Sequence, residues 1–401
     1  MSRPPSPLRL AIVLSHPTQY YSPWFRWLQA HSGLTFRVFY LWDFGVTRRL
    51  DPQFATTFSW DVDLLSGYDQ EFVPNRASDP GTHHFRGLDN PTLGRRLKAW
   101  RPDVVLLFGY KWRSLLQVVL WARLRRIPLV FRGDSHWLGR GRPGAGVRIL
   151  LRALYAQFSA ITYVGAANRE YFRILGAPER KLFFAPHAID HALFDPASAA
   201  HQAAAAALRV ELGLAAGVRV VLFAGKLVPA KQPAELLGAF LKLNPPDTAL
   251  VFVGDGSEKA ALQEAARAAP PMAVHFLPFA NQSEMPSRYL LADLFVLPSR
   301  GFYETWGLAV NEAMQMGVPS LVSDRVGCQR DLVTDGETGW VFRADEPGEL
   351  ALKLAEAIEA IRRDAPAVRR RVEARISGYT YRQTTDGLLA AIAALKLKRT
   401  E

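Results

Sequence analysis

A single cysteine, Cys328, excludes any disulfide within the 401-residue chain, and a reducing compartment fits that thiol usage. Long apolar runs are missing as well. The first, residues 10–14, stops at Ser15-His16-Pro17, too short for a signal-peptide core or a membrane span. Residues 115–122 are apolar apart from Gln117, but Lys111 and Arg113 precede them and Arg123, Arg125 and Arg126 follow. There is no Gly-x-Ser-x-Gly and no Walker loop. No Gly-x-Gly-x-x-Gly follows the first strand candidate, which argues against a dehydrogenase. No His/Cys/Asp cluster shows metal-ligand spacing, and one cysteine forbids a Cys-based zinc site.

What is present is ordinary globular material, 49% hydrophobic and 21% charged. That excludes a disordered, collagen-like or coiled-coil chain, and the length suggests about two to three domains. The net charge of +12 is unevenly placed. Residues 1–190 hold 26 Lys and Arg against 13 Asp and Glu, whereas residues 191–401 hold 23 against 24. A one-sided basic surface attracts polyanions: nucleic acid, acidic lipid or phosphorylated substrates. The densest runs, 111–126 and 140–152, interleave Arg with Leu, Val, Ile and Trp, as amphipathic helices at a membrane face do. Arg-rich solvent faces on ordinary helices are the plainer alternative.

Strand candidates at 8–14, 35–41, 104–108, 129–132, 161–164 and 182–185 alternate with helix candidates at 23–30, 92–100, 114–126, 146–158 and 167–175. Strands apolar throughout and separated by helices imply a parallel sheet covered on both faces. Residues 51–90 resist placement. A Pro- and Ala-rich stretch, 186–217, reads as a connector with one short helix. The rhythm then restarts, with strands at 218–224, 249–253, 274–277, 294–297, 320–322 and 340–342. Helices fall at 233–243, 258–268, 285–291, 308–316, 349–362 and 382–395. The expected fold is α/β: two Rossmann-like doubly wound domains facing across a cleft, where ligands sit beyond the strand ends. The expected divisions are 1–190, a connector at 191–216, 217–376, and a last helix within 377–401 crossing back to the first domain.

The most informative segment runs from Pro298 to Pro319. A strand ends at Leu297-Pro298, a loop follows, and a helix starts near Gly307. Glu304 precedes that start and Glu312 lies eight residues on, about 12 Å away if all is helical. A glycosidase pair works at roughly 5–10 Å, so the two suit separate grips on an extended ligand. Forward-facing N–H groups at Gly307 and Leu308 make an anion site. A nucleotide-sugar fits this arrangement: Glu304 on sugar hydroxyls, the helix start on the diphosphate, Glu312 on the ribose. Alternatively Glu312 is a solvated helix residue and Glu304 a dipole partner. Gly225 ends a strand, and Lys226 and Lys231 bracket the turn after it, where cations would stabilise a departing diphosphate. In the first half, Ser22 and Pro23 suit a helix start, which places His16 and Gln19 on a cleft loop. Phe131-Arg132-Gly133-Asp134-Ser135-His136 follows another strand. Trp24, Trp27, Trp42 and Trp60 suit packing better than sugar stacking.

Gly225-Lys226 to Lys231, Val253-Gly254-Asp255-Gly256, Leu297-Pro298-Ser299 and Glu304-x7-Glu312, closing on Gly317-Val318-Pro319, occur in that order. Together they resemble the donor domain of retaining GT-B glycosyltransferases of family 4, over roughly 215–345 and more loosely at 185–190. The family more often has Arg at the Lys226 position; Lys keeps the charge and loses the fork. The loop at 15–23 lacks the Gly-Gly of many relatives. The resemblance implies glycosyl transfer with retention from a nucleotide-diphospho-sugar. His136, Glu304, Lys226 and Lys231 would be the catalytic set. Gly225, Thr305, Trp306, Gly307, Leu308 and Glu312 would complete the donor site, with His16, Gln19, Arg132 and Asp134 toward the acceptor. No cofactor and no metal are expected. The expected partners are a nucleotide-sugar, a lipid-linked saccharide acceptor and an anionic membrane surface, with no specific nucleic acid and a cytoplasmic, membrane-peripheral location. A non-hydrolysing nucleotide-sugar epimerase and a non-catalytic anionic-surface binder are the alternatives.

Overall fold

The computed structural model describes residues 8–51, 56–141, 143–267, 273–300 and 304–395. Gly301, Phe302 and Tyr303 of the Glu304 loop, Arg142 of the second basic run and Ala268 at an expected helix end lie outside them. The first half contains β1 (Arg9–Leu14), β2 (Thr35–Tyr40), β3 (Arg49–Asp51), β4 (Thr56–Phe58), β5 (Gln70–Phe72), β6 (Val104–Phe108), β7 (Leu129–Arg132), β8 (Ala160–Tyr163) and β9 (Leu182–Phe184). The second contains β10 (Arg219–Ala224), β11 (Thr248–Val253), β12 (Val274–Leu277), β13 (Leu294–Leu297), β14 (Ser320–Ser323) and β15 (Gly339–Phe342).

Two parallel sheets result, ordered β5-β2-β1-β6-β7-β8-β9 and β12-β11-β10-β13-β14-β15; β3 and β4 form a separate antiparallel hairpin. The central strands are apolar throughout because helices cover both faces: Leu10 to Val13 and Val104 to Leu107 are fully buried. Each order reverses once, between β1 and β6 and between β10 and β13. The loops after those strands are where a doubly wound sheet opens for ligands.

Several details depart from the sequence reading. Residues 51–90 contribute β5 at a sheet edge, too short and polar to announce itself. The first helix is Tyr21–His31, one turn-start earlier than Ser22 and Pro23 suggest; Thr18 Oγ1 accepts from the Tyr21 N–H at 3.2 Å, and Ser22 is buried. Helix Glu349–Ile376 continues past 362 through a kink at Asp364, whose carboxylate accepts from Ala367 N at 2.9 Å and restarts the helix ahead of Pro366. Phe194, Leu208 and Leu212, from the stretch read as a connector, sit in the core of the second sheet. The last helix, Tyr381–Ala393, packs on β8 and β9, places Leu388, Ala391 and Ile392 in the first domain's core, and receives the Trp24 indole N–H on Thr385 at 3.0 Å. Among the described residues no helix is long and apolar enough to cross a membrane.

Candidate active site

Between the two sheets lies a cavity of about 340 Å³. Its floor is the turn after β10. Gly225 has φ 152°, and the space where a Cβ would stand is open, so the backbone itself faces the cavity. Gly254, after β11, packs so tightly that a Cβ there would meet the Gly225 carbonyl oxygen at 2.0 Å. Lys226 and Lys231 line the wall beside this floor.

The opposite wall is the loop after β13 and the helix Leu308–Gln315. Gly307 starts that helix with φ 95°, a left-handed conformation that glycine adopts without strain. Glu304, Thr305, Trp306, Gly307, Leu308 and Glu312 all line the cavity. Lys231 Nζ donates to the Glu304 carboxylate, which also accepts from Ser299 Oγ at 3.0 Å. Glu312 is buried rather than solvated: it accepts from Gln282 Nε2 at 3.0 Å and Tyr289 OH at 2.8 Å. Burial pushes its pKa up, against the pull of hydrogen bonds from Gln282, Tyr289 and Tyr20. Trp306 contributes its edge; its ring is buried, and its N–H donates to Asn311 Oδ1 at 2.7 Å.

From the first domain, Gln19 and Asp134 reach the cavity. Asp134 accepts from Thr305 Oγ1 at 2.9 Å and lies 3.5 Å from His187 Nε2. Burial works to raise its pKa, but those two partners outweigh burial and hold it below the ordinary value.

Three expected site residues are placed elsewhere. His136 Nδ1 accepts from Leu138 N at 3.1 Å, so its proton sits on Nε2, which donates to the Glu304 carbonyl oxygen at 3.2 Å. Both nitrogens are used, burial lowers the pKa, and the ring does not line the cavity: it is a strut between domains. Arg132 is buried in β7, where its guanidinium donates to the carbonyls of Ala185 at 2.9 Å and Pro186 at 3.3 Å and lies 5.2 Å from the Trp24 ring; it anchors the chain leaving the first domain. His16 packs edge-on to Trp42 and Phe44, and burial lowers its pKa to about 4. Its loop turns so that Gln19 and Tyr20, not His16, reach the cavity.

Sequence reasoning missed Tyr20, Gln282, Tyr289 and Trp60 as cavity residues. Trp60 is held over the site by a clasp across the cleft: Asn281 Nδ2 donates to the Ser59 carbonyl at 2.8 Å, and Ser283 N donates to Asp61 at 3.2 Å. No spacing rule announces such a clasp. A possible metal-ligating group was also missed: Asp79, His83 and His84 are partly or fully exposed, hold ligand atoms within 4.8 Å of one another, and do not line the cavity. Asp255, by contrast, turns away to pair with Lys259 at 2.7 Å.

The family described as glycosyl transferases group 1 matches residues 205–370, and the glycosyl transferase 4-like domain matches residues 19–188. Each half of the chain therefore carries a glycosyltransferase family domain. The two family matches fall on the two sheets just described, whose arrangement is the GT-B fold. It is 30% identical over 239 residues to a D-inositol 3-phosphate glycosyltransferase of Nocardia farcinica, covering 56% of this chain and 50% of that protein. To the Mycobacterium bovis protein of the same description it is 32% identical over 196 residues, 46% of this chain and 39% of the other. The chain thus spans half the length of these relatives or less. Among solved structures, Anabaena HepE in complex with UDP and glucose superposes with a TM-score of 0.70 at 18% identity, over 97% of this chain and 100% of that one. The Arabidopsis thaliana starch synthase IV catalytic domain, bound to ADP and acarbose, gives 0.70 at 15% identity, over 97% and 99%. These two likenesses concern the fold alone.

Proposed function

We propose that this glycosyltransferase moves a sugar from a nucleotide-diphospho-sugar to a hydroxyl acceptor with retention of configuration. One observation carries the reading: two lysines, a glycine-started helix and two glutamates line a single cavity at the point where both sheets reverse their order. The diphosphate lies across the Gly225 turn, between Lys226, Lys231 and the amides of Gly307 and Leu308. Glu304 accepts from the sugar hydroxyls once Lys231 turns to phosphate, and Glu312 accepts from the ribose. That Anabaena HepE has been solved with UDP-glucose supports a nucleotide-sugar in this fold.

In the reaction the bond from the anomeric carbon to the diphosphate oxygen breaks, and the acceptor oxygen bonds the same carbon on the same face. The acceptor's proton passes to the departing diphosphate. The lysines and amides offset the charge that develops there, so no metal is needed. His136 keeps the Glu304 loop in place through its carbonyl oxygen. The acceptor is a lipid-linked saccharide in surface polysaccharide or glycolipid assembly at the inner membrane face. The basic first domain supports that reading, and a phosphorylated polyol is the alternative suggested by the inositol-phosphate relatives.

The test is turnover of a panel of nucleotide-diphospho-sugars with lipid-linked and soluble acceptors, read by mass spectrometry, with the linkage assigned by NMR. Transfer with retention supports the proposal; inversion, or an epimerised donor formed with no acceptor present, contradicts it.

A further inference from the structure

Two helices of the first domain turn apolar side chains outward. Helix Arg113–Arg125 follows β6 and helix Ala145–Tyr155 follows β7, its neighbour in the sheet. Right-handed crossovers therefore put both on one face of that sheet, both starting at the cleft end. The first buries Leu115, Val118, Val119 and Ala122 inward, whereas the second buries Tyr155 alone. On the outer side Leu116, Leu120 and Leu124 recur every four residues and are 36, 58 and 72% exposed. On the second helix Val147, Ile149 and Leu150 are 54, 66 and 69% exposed. These six are the majority of the large apolar side chains exposed among the described residues; Val210 and Leu352 in the second domain stand singly, as surface apolar residues usually do.

The charge around the stripe names its partner. From residue 104 to 169 the chain carries 11 Lys and Arg and one acid, Asp134, which faces the cleft; Arg132 is buried, and Arg113 and Arg169 pair with Asp89 and Glu179, so eight cationic residues are left to set the charge of this face. A protein surface of mixed charge would meet that field unfavourably on its own basic residues. An anionic bilayer would not: aliphatic side chains enter the acyl boundary while guanidinium groups meet lipid phosphates. A second copy of this chain would bring arginines against arginines.

We infer that this two-helix face docks on an anionic lipid bilayer. The inference goes beyond the reading of the cleft and rests on that reading only for the identity of the acceptor, because bilayer binding is measured without substrate. β7 ends at Arg132, and Asp134, two residues on, lines the cavity, so the domain that docks also carries part of the cavity wall.

Flotation with phosphatidylcholine vesicles, and with vesicles that also contain phosphatidylglycerol, tests it on the full chain. The protein is expected to float with the anionic vesicles at least about tenfold better than with the neutral ones, and less as salt rises toward about 0.5 M. Leu120→Ser/Leu124→Ser/Ile149→Ser/Leu150→Ser is expected to lower recovery about tenfold or more, because each buried CH₂ contributes to insertion. Arg148→Glu/Arg152→Glu is expected to do the same by charge. Both variants should keep the wild-type melting temperature and nucleoside-diphosphate affinity, which separates this inference from the proposed function. Equal recovery on neutral and anionic vesicles overturns it, as does a serine variant that floats like wild type. A dimer in size-exclusion chromatography that the serine substitutions dissociate, with no vesicle recovery, assigns the face to a second copy and also overturns it.

Discussion

Lys231 and Glu304 hold each other inside the cleft, tying the turn after β10 to the loop after β13. Their side chains are 29 and 12% exposed, so a ligand entering the cavity meets both. Ser299 retains the carboxylate when the lysine leaves it. Lys231→Ala and Glu304→Ala are therefore each expected to lower kcat about 10²- to 10³-fold, the size of effect seen when a charge-stabilising donor is removed. Circular dichroism melting should show a folded protein in both. Wild-type turnover in either variant removes that residue's role.

Glu312→Gln separates stability from binding. Burial raises the Glu312 pKa, so the folded state favours its protonated form, and the ionised carboxylate costs stability at neutral pH. Gln removes the charge and keeps one acceptor for Tyr289 or Gln282. Unfolding free energy at pH 7.5 should stay within about 1 kcal/mol of wild type, while donor affinity falls about tenfold or more, since a hydroxyl bond to a charged acceptor is lost. A large loss of stability with unchanged donor affinity would make Glu312 structural.

His136 meets Glu304 at the backbone, with Nε2 3.2 Å from its carbonyl oxygen, and two roles for the ring make different predictions. A general acid or base at His136 would give losses of about 10²- to 10⁴-fold on removal. A strut predicts otherwise: His136→Ala should lower the melting temperature by a few degrees and kcat by less than about tenfold. Because its pKa is lowered by burial, His136 should put no ionisation at its ordinary value into the pH-rate profile.

Asp331 bridges the domains by accepting from Ala166 N at 3.0 Å on both oxygens, and burial pushes its pKa to about 6. A carboxyl raised in the folded state contributes stability that is present below its unfolded value and lost as pH rises through the folded one. Asp331→Asn removes that dependence. Its unfolding free energy relative to wild type should rise by roughly 2–3 kcal/mol between about pH 4 and pH 7. A constant difference across that range, in urea titrations, contradicts the assignment.

Much of the architecture was readable from periodicity, because buried parallel strands leave unbroken apolar runs: β6, β7, β12 and β13 fall on the residues expected. Short polar strands such as Gln70–Phe72 leave no such trace, and β3 and β4 were hidden in the same stretch. The donor wall was legible because its chemistry is local: Glu304, Gly307 and Glu312 belong to one loop and one helix. The first-domain side was not. Arg132 ends β7 and His136 sits on the loop after it, yet their direction is set by Ala185 and Glu304, far away in the chain. Trp60 reaches the cavity only through contacts with Asn281 and Ser283.

The most direct measurement is calorimetric titration of the wild type and Lys231→Ala with nucleoside mono- and diphosphates of each base. A diphosphate clamp predicts that at least one nucleoside diphosphate binds with Kd of about 1 mM or tighter, that its monophosphate binds more weakly, and that Lys231→Ala weakens the diphosphate about tenfold or more. No diphosphate binding, or binding indifferent to both the second phosphate and Lys231, would contradict it.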